Sequence, residues 1–382
     1  MPSVDPDSAI AGGSSVLPKA SIADLVAYKP PLSPVGSKPV IKLNLNEGAL
    51  GPSPKAMAAM ATVAATMHRY PPVEASGLIQ VIAEHHRLDA QRIVVGCGSD
   101  ELIQALCLAF LEPGDEVIHT QYGFLLFPVA TKVAGGVPVS APDDGYTASV
   151  DAILAAVSER TKLVFLANPN NPTGTYVSSD EVRRLRADLP GRVLLVLDAA
   201  YAEYVQKDDY TAGIELVEET DNTVMLRTFS KMYGMAGLRL GWAYCPKPVA
   251  DILYSIKPPY GVNYPALAAG IEAVRDTAFY ARSLAHNARW MPWLQQEFRK
   301  LGLVPQPTVA NFMVLTFPGT PGKTAEEARL YLANHDILVR DLGSYGIPDA
   351  LRLSVGTEEE NHILVDTLRA FMTRNARDGE SV

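Results

Sequence analysis

The stretch VMLRTFSKMYGMAGLR, residues 224–239, joins an apolar run to a lysine and an arginine. The run Val224-Met225-Leu226 is typical of a buried strand, and Lys231 follows just past its end. A lysine held near apolar walls loses its charge readily, so its amine can attack an aldehyde and form a Schiff base. Hydroxyl and guanidinium groups close to this lysine can bind a phosphate: Thr228, Ser230 and Arg239. An aldehyde and a phosphate on one cofactor indicate pyridoxal phosphate.

An isolated Ser-Lys pair is more often part of an ordinary surface loop, so this interpretation depends on the rest of the chain. The chain has 382 residues, of which 48% are hydrophobic, enough for a large core and more than one lobe. Its net charge of −9 argues against partners such as nucleic acid or an anionic membrane surface. No apolar run approaches the ~20 residues of a membrane span. Three sparse cysteines and no signal-peptide pattern lead us to expect no metal site and a cytoplasmic location.

Strands and helices alternate along most of the chain. Seven apolar runs indicate buried strands, at residues 93–95, 116–119, 137–140, 163–167, 193–197, 224–226 and 238–244. Such strands, separated by helices, predict an α/β fold with a mostly parallel seven-stranded sheet sandwiched by helices. After a long predicted helix at about 278–301, the order of elements changes and predicts a smaller α+β domain. We therefore expect three parts: a loose arm (1–20), a small domain (21–45 and 283–382) and a large domain (46–282).

Candidate functional residues follow the ends of these strands, where open α/β sheets bind ligands. The segment Gly98-Ser99-Asp100 joins a strand to a helix, and the N–H groups of a helix start suit a phosphate, although a simply capped helix explains it equally well. Asp198 ends a buried strand and needs a partner, because an unpaired buried charge costs several kcal/mol. That partner is either the N–H groups of a following helix or a protonated pyridine nitrogen.

Three further side chains can reach a cofactor ring in this arrangement. Asn171 lies in the turn Asn168–Gly174, whose two prolines and glycine fix its shape; the turn is either purely structural or holds the Asn171 amide against a ring oxygen. Tyr201 can donate a hydrogen bond to the phenolic oxygen on the ring of pyridoxal phosphate. Tyr122 can stack on the ring or pack as an ordinary core aromatic residue.

Arg340 and Arg352 each interrupt an apolar strand near the C-terminus. Arginine inside a strand is more often an edge or ion-paired residue. The functional alternative is a clamp for a carboxylate or phosphate, since a guanidinium group binds both anions with two parallel hydrogen bonds.

Together these motifs resemble the fold-type I, class I/II pyridoxal phosphate aminotransferases. The resemblance runs from about Ser21 to Met372 and rests on NPNNPTG (168–174), DAAYAEY (198–204), TFSK (228–231) and LRLSVGT (351–357). Within this superfamily the chain looks most like the histidinol-phosphate aminotransferases, through segments such as LNLNEGALGPSP (43–54) and RYPP (69–72).

The resemblance implies a role for each site residue. Lys231 is the Schiff-base lysine, Asp198 pairs with the pyridine nitrogen, Asn171 and Tyr201 contact the phenolic oxygen, and Tyr122 stacks on the ring. The phosphate is surrounded by Gly98, Ser99, Asp100, Thr228, Ser230 and Arg239, and by Tyr70 from the partner chain of a homodimer with shared active sites. The substrate is held by Tyr28, Asn171, Arg340 and Arg352.

The implied reaction converts histidinol phosphate and 2-oxoglutarate to imidazole acetol phosphate and glutamate in histidine biosynthesis. Residues 257–264 and Phe127-Pro128 differ from the family pattern near the expected substrate pocket. An aromatic amino acid aminotransferase, acting on phenylalanine or tyrosine, is therefore an alternative. A lyase or decarboxylase on the same fold is a second alternative, because a fold does not decide the reaction type. A non-catalytic regulator is disfavoured by the intact lysine, aspartate and arginine set.

Overall fold

The computed structural model describes residues 18–25 and 40–374. In these ranges the helices are α1 (Pro54–Val63), α2 (Ser76–His86), α3 (Gly98–Phe110), α4 (Leu126–Ala134), α5 (Val150–Ala155), α6 (Ser179–Asp188), α7 (Ile214–Glu219), α8 (Lys247–Ile256), α9 (Tyr264–Arg275), α10 (Thr277–Lys300), α11 (Ala325–Ala333) and α12 (Glu358–Thr373). The strands are β1 (Ile41–Lys42), β2 (Ile93–Gly96), β3 (Glu116–Thr120), β4 (Val137–Ala141), β5 (Asp143–Asp144), β6 (Thr147–Ala148), β7 (Thr161–Ala167), β8 (Leu194–Asp198), β9 (Thr223–Thr228), β10 (Gly241–Tyr244), β11 (Val304–Pro305), β12 (Phe312–Thr316), β13 (Ile337–Leu338), β14 (Arg340–Asp341) and β15 (Ala350–Ser354).

The central sheet has seven strands in the order β2-β10-β9-β8-β7-β3-β4. Only β10 runs antiparallel to its neighbours β9 and β2, and the other adjacent pairs are parallel. This confirms the predicted α/β fold with a mostly parallel seven-stranded sheet. The carboxyl ends of β2, β3, β7, β8 and β9 therefore meet at one edge, as the sequence pattern indicated.

One predicted strand begins later than expected. The run 238–244 was predicted as a strand, but residues 236–238 form a single turn of 3-10 helix and the strand starts at Gly241. Arg239 separates the two with a left-handed backbone (φ 54°). An apolar run in a sequence does not indicate where the backbone becomes left-handed and the strand is delayed. Nor did the apolar pattern predict the helices α7, α8 and α9 individually.

A second, antiparallel sheet has the order β11-β12-β15-β14 and packs with α10, α11 and α12 around its own apolar core. Strand β1, far away in sequence, pairs in parallel with β13, and Leu43 is buried in this second core. The boundaries at 45/46 and 282/283 stay predictions. The predicted arm (1–20) lies almost wholly outside the described residues.

Candidate active site

A cavity of about 380 Å³ lies at the edge where the parallel strands end. Its walls come from the ends of β7, β8 and β9, the start of α3, and the segment after β1. Nine of the residues predicted from sequence line it: Ser99, Asp100, Asn171, Asp198, Tyr201, Thr228, Ser230, Lys231 and Arg239. The structure thus brings together at one place most of the side chains that the sequence indicated.

Lys231 is half-buried in the cavity, in the loop that follows β9. The backbone on both sides of this loop is packed too tightly for a larger residue. A Cβ on Gly48 would lie 2.6 Å from the Lys231 carbonyl oxygen, and a Cβ on Gly234 would lie 2.1 Å from that of Gly51. Lys231 Nζ donates a hydrogen bond to the Leu45 carbonyl oxygen at 3.0 Å. Desolvation, followed by the positive charge of Arg352, lowers the pKa of Lys231 to about 8, so a useful fraction of its amine is neutral near physiological pH.

One end of the cavity is rich in donors suited to an anion. Arg239 donates from Nη2 to Asp100 Oδ2 at 2.9 Å and from Nη1 to Ser230 Oγ at 3.3 Å. The Thr228 hydroxyl accepts from the Ser230 backbone N–H at 3.1 Å, which fixes the turn. A Cβ on Gly98 would lie 2.5 Å from Arg239 Nη2, so only glycine allows this guanidinium to approach the start of α3. These groups can bind a phosphate dianion together with the N-terminus of α3.

Asp198 is 6% exposed and lines the same cavity at the end of β8. Its Oδ1 accepts a hydrogen bond from the Ala200 backbone N–H at 3.2 Å. Among the described residues no lysine, arginine or histidine nitrogen forms an ion pair with it. Burial is the main reason that the pKa of Asp198 is raised to about 7. A buried carboxylate in this position is stabilised by any cation that enters the cavity.

Tyr201 and Asn171 are each oriented by a neighbour. Asn46 Nδ2 donates to the Tyr201 hydroxyl at 2.9 Å, which leaves the hydroxyl proton available to another acceptor. Arg352 Nη1 donates to Asn171 Oδ1, which leaves the Asn171 amide N–H groups available as donors. Both side chains therefore line the cavity with a donor that is available to a bound molecule.

Arg352 is a buried residue of β15, next to Asn171. Its Nη2 also donates a hydrogen bond to the Asn44 carbonyl oxygen at 2.8 Å. Arg340 on β14 is directly opposite Arg352 in the antiparallel ladder. Directly opposite residues project from the same face of a sheet, so Arg340 and Arg352 share one face, which is compatible with the predicted clamp for a carboxylate or phosphate.

Other predicted site residues are placed differently. Tyr122 is not part of the cavity wall: its ring lies 5.7 Å from that of Tyr146 and packs against the cluster around Tyr345. Phe124, two residues further on, lines the cavity instead. Tyr70 is 78% exposed and stacks on Tyr260 at 4.4 Å, away from the cavity of its own chain. Tyr28 lies outside the described residues.

Sequence reasoning missed the contribution of residues 44–47, which cross the front of the cavity. Asn46 is buried and left-handed (φ 57°), and its backbone N–H donates to Ser354 Oγ at 3.0 Å. Leu45 and Glu47 on either side of it line the cavity. The available signal was the string Asn44–Gly48 directly after a strand, since asparagine tolerates a left-handed backbone.

The comparisons with known proteins agree with this geometry. The family model described as aminotransferase class I and II matches residues 38–368. The chain belongs to the class I and II aminotransferases. It is 50% identical to a histidinol-phosphate aminotransferase of Paramagnetospirillum magneticum over 93% of this chain and 98% of that protein. It is also 50% identical to one of Maricaulis maris, over 94% and 99%.

A solved structure supports the same family. The histidinol-phosphate aminotransferase of Sinorhizobium meliloti, crystallised with pyridoxal 5'-phosphate, is 28% identical and superposes with a TM-score of 0.83. The superposition covers 87% of this chain and 90% of that chain. The donor set of the present aminotransferase fits this cofactor, because a half-buried lysine, a buried carboxylate without an ion-pair partner among the described residues, and an anion cradle line one cavity. The protein is a pyridoxal-phosphate-dependent transaminase. Among residues 18–25 and 40–374, no helix is long and apolar enough to cross a membrane.

Proposed function

We propose that this aminotransferase moves the amino group of histidinol phosphate to 2-oxoglutarate, giving imidazole acetol phosphate and glutamate in histidine biosynthesis. The observation that carries this proposal is 50% identity, along 93% of the chain, to a protein with that activity in its name. The match runs along nearly the whole length of both proteins, so it supports a shared activity as well as a shared fold.

The arginine pair on β14 and β15 is compatible with both substrates. In histidinol phosphate the carbon that bears the amine carries a phosphate ester arm, where an amino acid carries its carboxylate. Arg340 and Arg352 can bind either anion, because guanidinium groups suit the oxygens of both. The same clamp then serves the donor and glutamate in turn.

We assign the remaining roles from the geometry of the cavity. Ser99, Asp100, Thr228, Ser230 and Arg239, with the close approach that Gly98 allows, would hold the phosphate of pyridoxal phosphate. Asp198 would keep the proton on the ring nitrogen, and Asn171 and Tyr201 would donate to the phenolic oxygen. Phe124 is the aromatic residue positioned to cover the ring, whereas stacking by Tyr122 stays a prediction.

Proton transfer falls to Lys231. Bound in the cavity, pyridoxal phosphate supplies an electron-poor ring that stabilises negative charge at the carbon bearing the donor's amine. Lys231 Nζ would take the proton from that carbon as a general base and, as a general acid, would deliver it to the former aldehyde carbon of the cofactor. Its lowered pKa, about 8, lets the nitrogen serve in both directions near neutral pH.

The decisive experiment compares kcat/KM for histidinol phosphate with kcat/KM for phenylalanine and tyrosine, with 2-oxoglutarate as acceptor in each case. We expect histidinol phosphate to be the best donor. If an aromatic amino acid is better by more than about tenfold, roughly 1.4 kcal/mol in transition-state binding, the protein is an aromatic aminotransferase instead.

We also propose a homodimer with shared active sites, in the cytoplasm. The support is Tyr70, which is 78% exposed and stacks on the half-exposed Tyr260 rather than lining the cavity of its own chain. Three free cysteines favour a reducing compartment. Mixing a Tyr70→Phe chain with a Lys231→Ala chain should restore activity, because each mixed dimer would contain one site with both residues intact. A fully active monomer in solution would rule out this arrangement.

A further inference from the structure

Glu47 lies on the wall of the cavity, next to the residues that hold the reacting lysine. Its backbone is fixed from several sides. The Glu47 carbonyl oxygen accepts from Asn311 Nδ2 at 3.1 Å, and the preceding Asn46 is held by Ser354 and Tyr201. The following Gly48 packs against the Lys231 carbonyl oxygen with no space for a side chain. A residue held this firmly presents its side chain to the cavity at a defined place.

The carboxylates of the cavity differ in what they contact. In the described part of the wall these are Glu47, Asp100 and Asp198. Asp100 is paired with Arg239 at the phosphate end, and Asp198 is buried opposite the proposed ring nitrogen. Glu47 is half-buried and forms no ion pair within 4.0 Å with any described residue. Neither the cofactor phosphate nor the anionic arm of the donor is a suitable partner for it, since both are negative.

The proposed donor carries two groups that are complementary to a carboxylate, its amine and its imidazole, and of these only the imidazole is absent from phenylalanine. An imidazole ring has an N–H donor in the neutral form and two in the protonated form, and it becomes cationic near pH 6.5. Phenylalanine has a ring of similar width with no donor. A binding-site group that is hydrogen-bonded by one substrate discriminates strongly against an analogue that leaves this group unpaired.

We infer that Glu47 is a specificity-determining residue, whose carboxylate accepts a hydrogen bond from the imidazole N–H of the donor. This rests on the proposed function and adds the group that selects imidazole over phenyl. Glu47 also has an electrostatic role, because its negative charge stabilises the protonated amine of Lys231. The two roles make different predictions. Loss of the imidazole contact lowers kcat/KM for histidinol phosphate alone, whereas an effect on Lys231 changes kcat/KM for every donor.

The test is the ratio of kcat/KM for histidinol phosphate to kcat/KM for phenylalanine, measured on the pyridoxal-phosphate-loaded enzyme and on Glu47→Gln and Glu47→Ala. A ratio cancels losses of cofactor, folding or Lys231 reactivity, because these affect both donors alike. We expect the ratio to fall at least about tenfold in Glu47→Gln and further in Glu47→Ala. Glu159→Gln is the matched control, since the Glu159 side chain is 96% exposed and outside the cavity, and its ratio should stay that of the wild type.

Three outcomes are distinct. A wild-type enzyme that prefers histidinol phosphate, with a lowered ratio in both Glu47 variants, supports the inference. The same wild-type preference with an unchanged ratio in both variants overturns the role of Glu47 and leaves the proposed function standing. A wild-type enzyme that prefers phenylalanine by more than about tenfold overturns the proposed function and this inference with it.

Discussion

The cavity has two walls of different origin. The sheet wall consists of side chains at the ends of parallel strands and in the loops directly after them: Asp100, Asp198, Thr228, Ser230, Lys231 and Arg239. The front wall consists of residues 44–47 and the groups that hold them, Ser354, Arg352 and Asn311. The short motifs of the sheet wall follow strands of one sheet, in which β8 and β9 are hydrogen-bonded neighbours and β10 lies between β9 and β2. In the front wall, Asn44 and Asn46 bond to residues 308 positions away.

The two walls therefore differ in function: we expect one to carry out the reaction and the other to select the substrate. The sheet wall holds groups that can act on the cofactor whichever donor is bound, namely an amine, a carboxylate and an anion cradle. The front wall and β15 hold Glu47 and Arg352, which we propose contact the side chain and the anionic group of the substrate. Substitutions in the sheet wall should therefore reduce the rate with every donor, whereas those in the front wall should cost less and depend on the substrate.

The largest effect is expected for Lys231→Ala, which removes the only amine of the sheet wall, as far as the structure describes it. Turnover should fall by at least about 10⁴-fold, because both the covalent attachment and the proton transfer are lost. Stopped-flow and steady-state assays measure the rate, and the absorbance spectrum reports on covalent attachment of the cofactor. Lys207→Ala, at an exposed position, is the control. Near-normal turnover in Lys231→Ala would refute the assignment.

A somewhat smaller effect, about 10³-fold on turnover, is expected for Asp198→Asn, with every donor alike. The amide keeps the shape but removes the negative charge that stabilises a proton on the ring nitrogen. Exchange of the substrate proton with deuterated water measures this step directly, and cofactor affinity should fall less. An exchange rate equal to that of the exposed-site variant Asp188→Asn would show that Asp198 plays no such part.

Asp198 should also make the cofactor-free protein sensitive to pH. Its pKa is about 7 in the folded protein and 3.8 in the reference state, so between these values the folded state holds a proton that the unfolded state has released. Its contribution to the free energy of unfolding therefore falls as pH rises from about 4 to 7, by on the order of 1 kcal/mol per pH unit. Urea unfolding of the wild type and of Asp198→Asn at several pH values measures this contribution as a difference. A difference that does not change with pH would contradict it.

A smaller loss, about 10- to 100-fold in kcat/KM, is expected for Arg352→Lys. Lysine keeps the charge but cannot bond Asn171 and Asn44 while also binding an anion with a planar pair of N–H groups. The loss should fall mainly on KM for both the donor and 2-oxoglutarate, as steady-state kinetics can show. Arg329→Lys, on the surface of α11, is the control. Equal kinetics for both variants would exclude the clamp.

The smallest effect, only a few-fold on kcat, is expected for Asn46→Ala. The variant removes the hydrogen bond to the Tyr201 hydroxyl and places alanine at a left-handed position. The Asn46 side chain also accepts a hydrogen bond from Ser354 Oγ at 3.3 Å. We expect the loss in kcat to come from the contact with Tyr201, so the double variant with Tyr201→Phe should be no slower than Tyr201→Phe alone. Independent, multiplying effects of the two substitutions would show that Asn46 acts in another way.

The sequence determined the fold class and most of the sheet wall. Continuous apolar runs between helices specify a parallel sheet, and the carboxyl ends of parallel strands meet at one edge. Any polar residue placed just after such a run, like Asp198 or Lys231, must then lie at that edge. The physical reason is local: strand periodicity and the rules for crossover connections act over a few tens of residues.

The tertiary structure alone decided the front wall. No local pattern indicates that Asn46 will orient Tyr201, that Arg352 will turn the Asn171 amide, or that Glu47 will enter the cavity. It also decided between neighbours that a motif cannot distinguish, since Phe124 rather than Tyr122 lines the cavity. These contacts form only when the second core brings β15 and the segment after β1 against the large sheet. Hydrogen bonds between residues far apart in sequence follow from packing, and packing leaves no periodic signal in the chain.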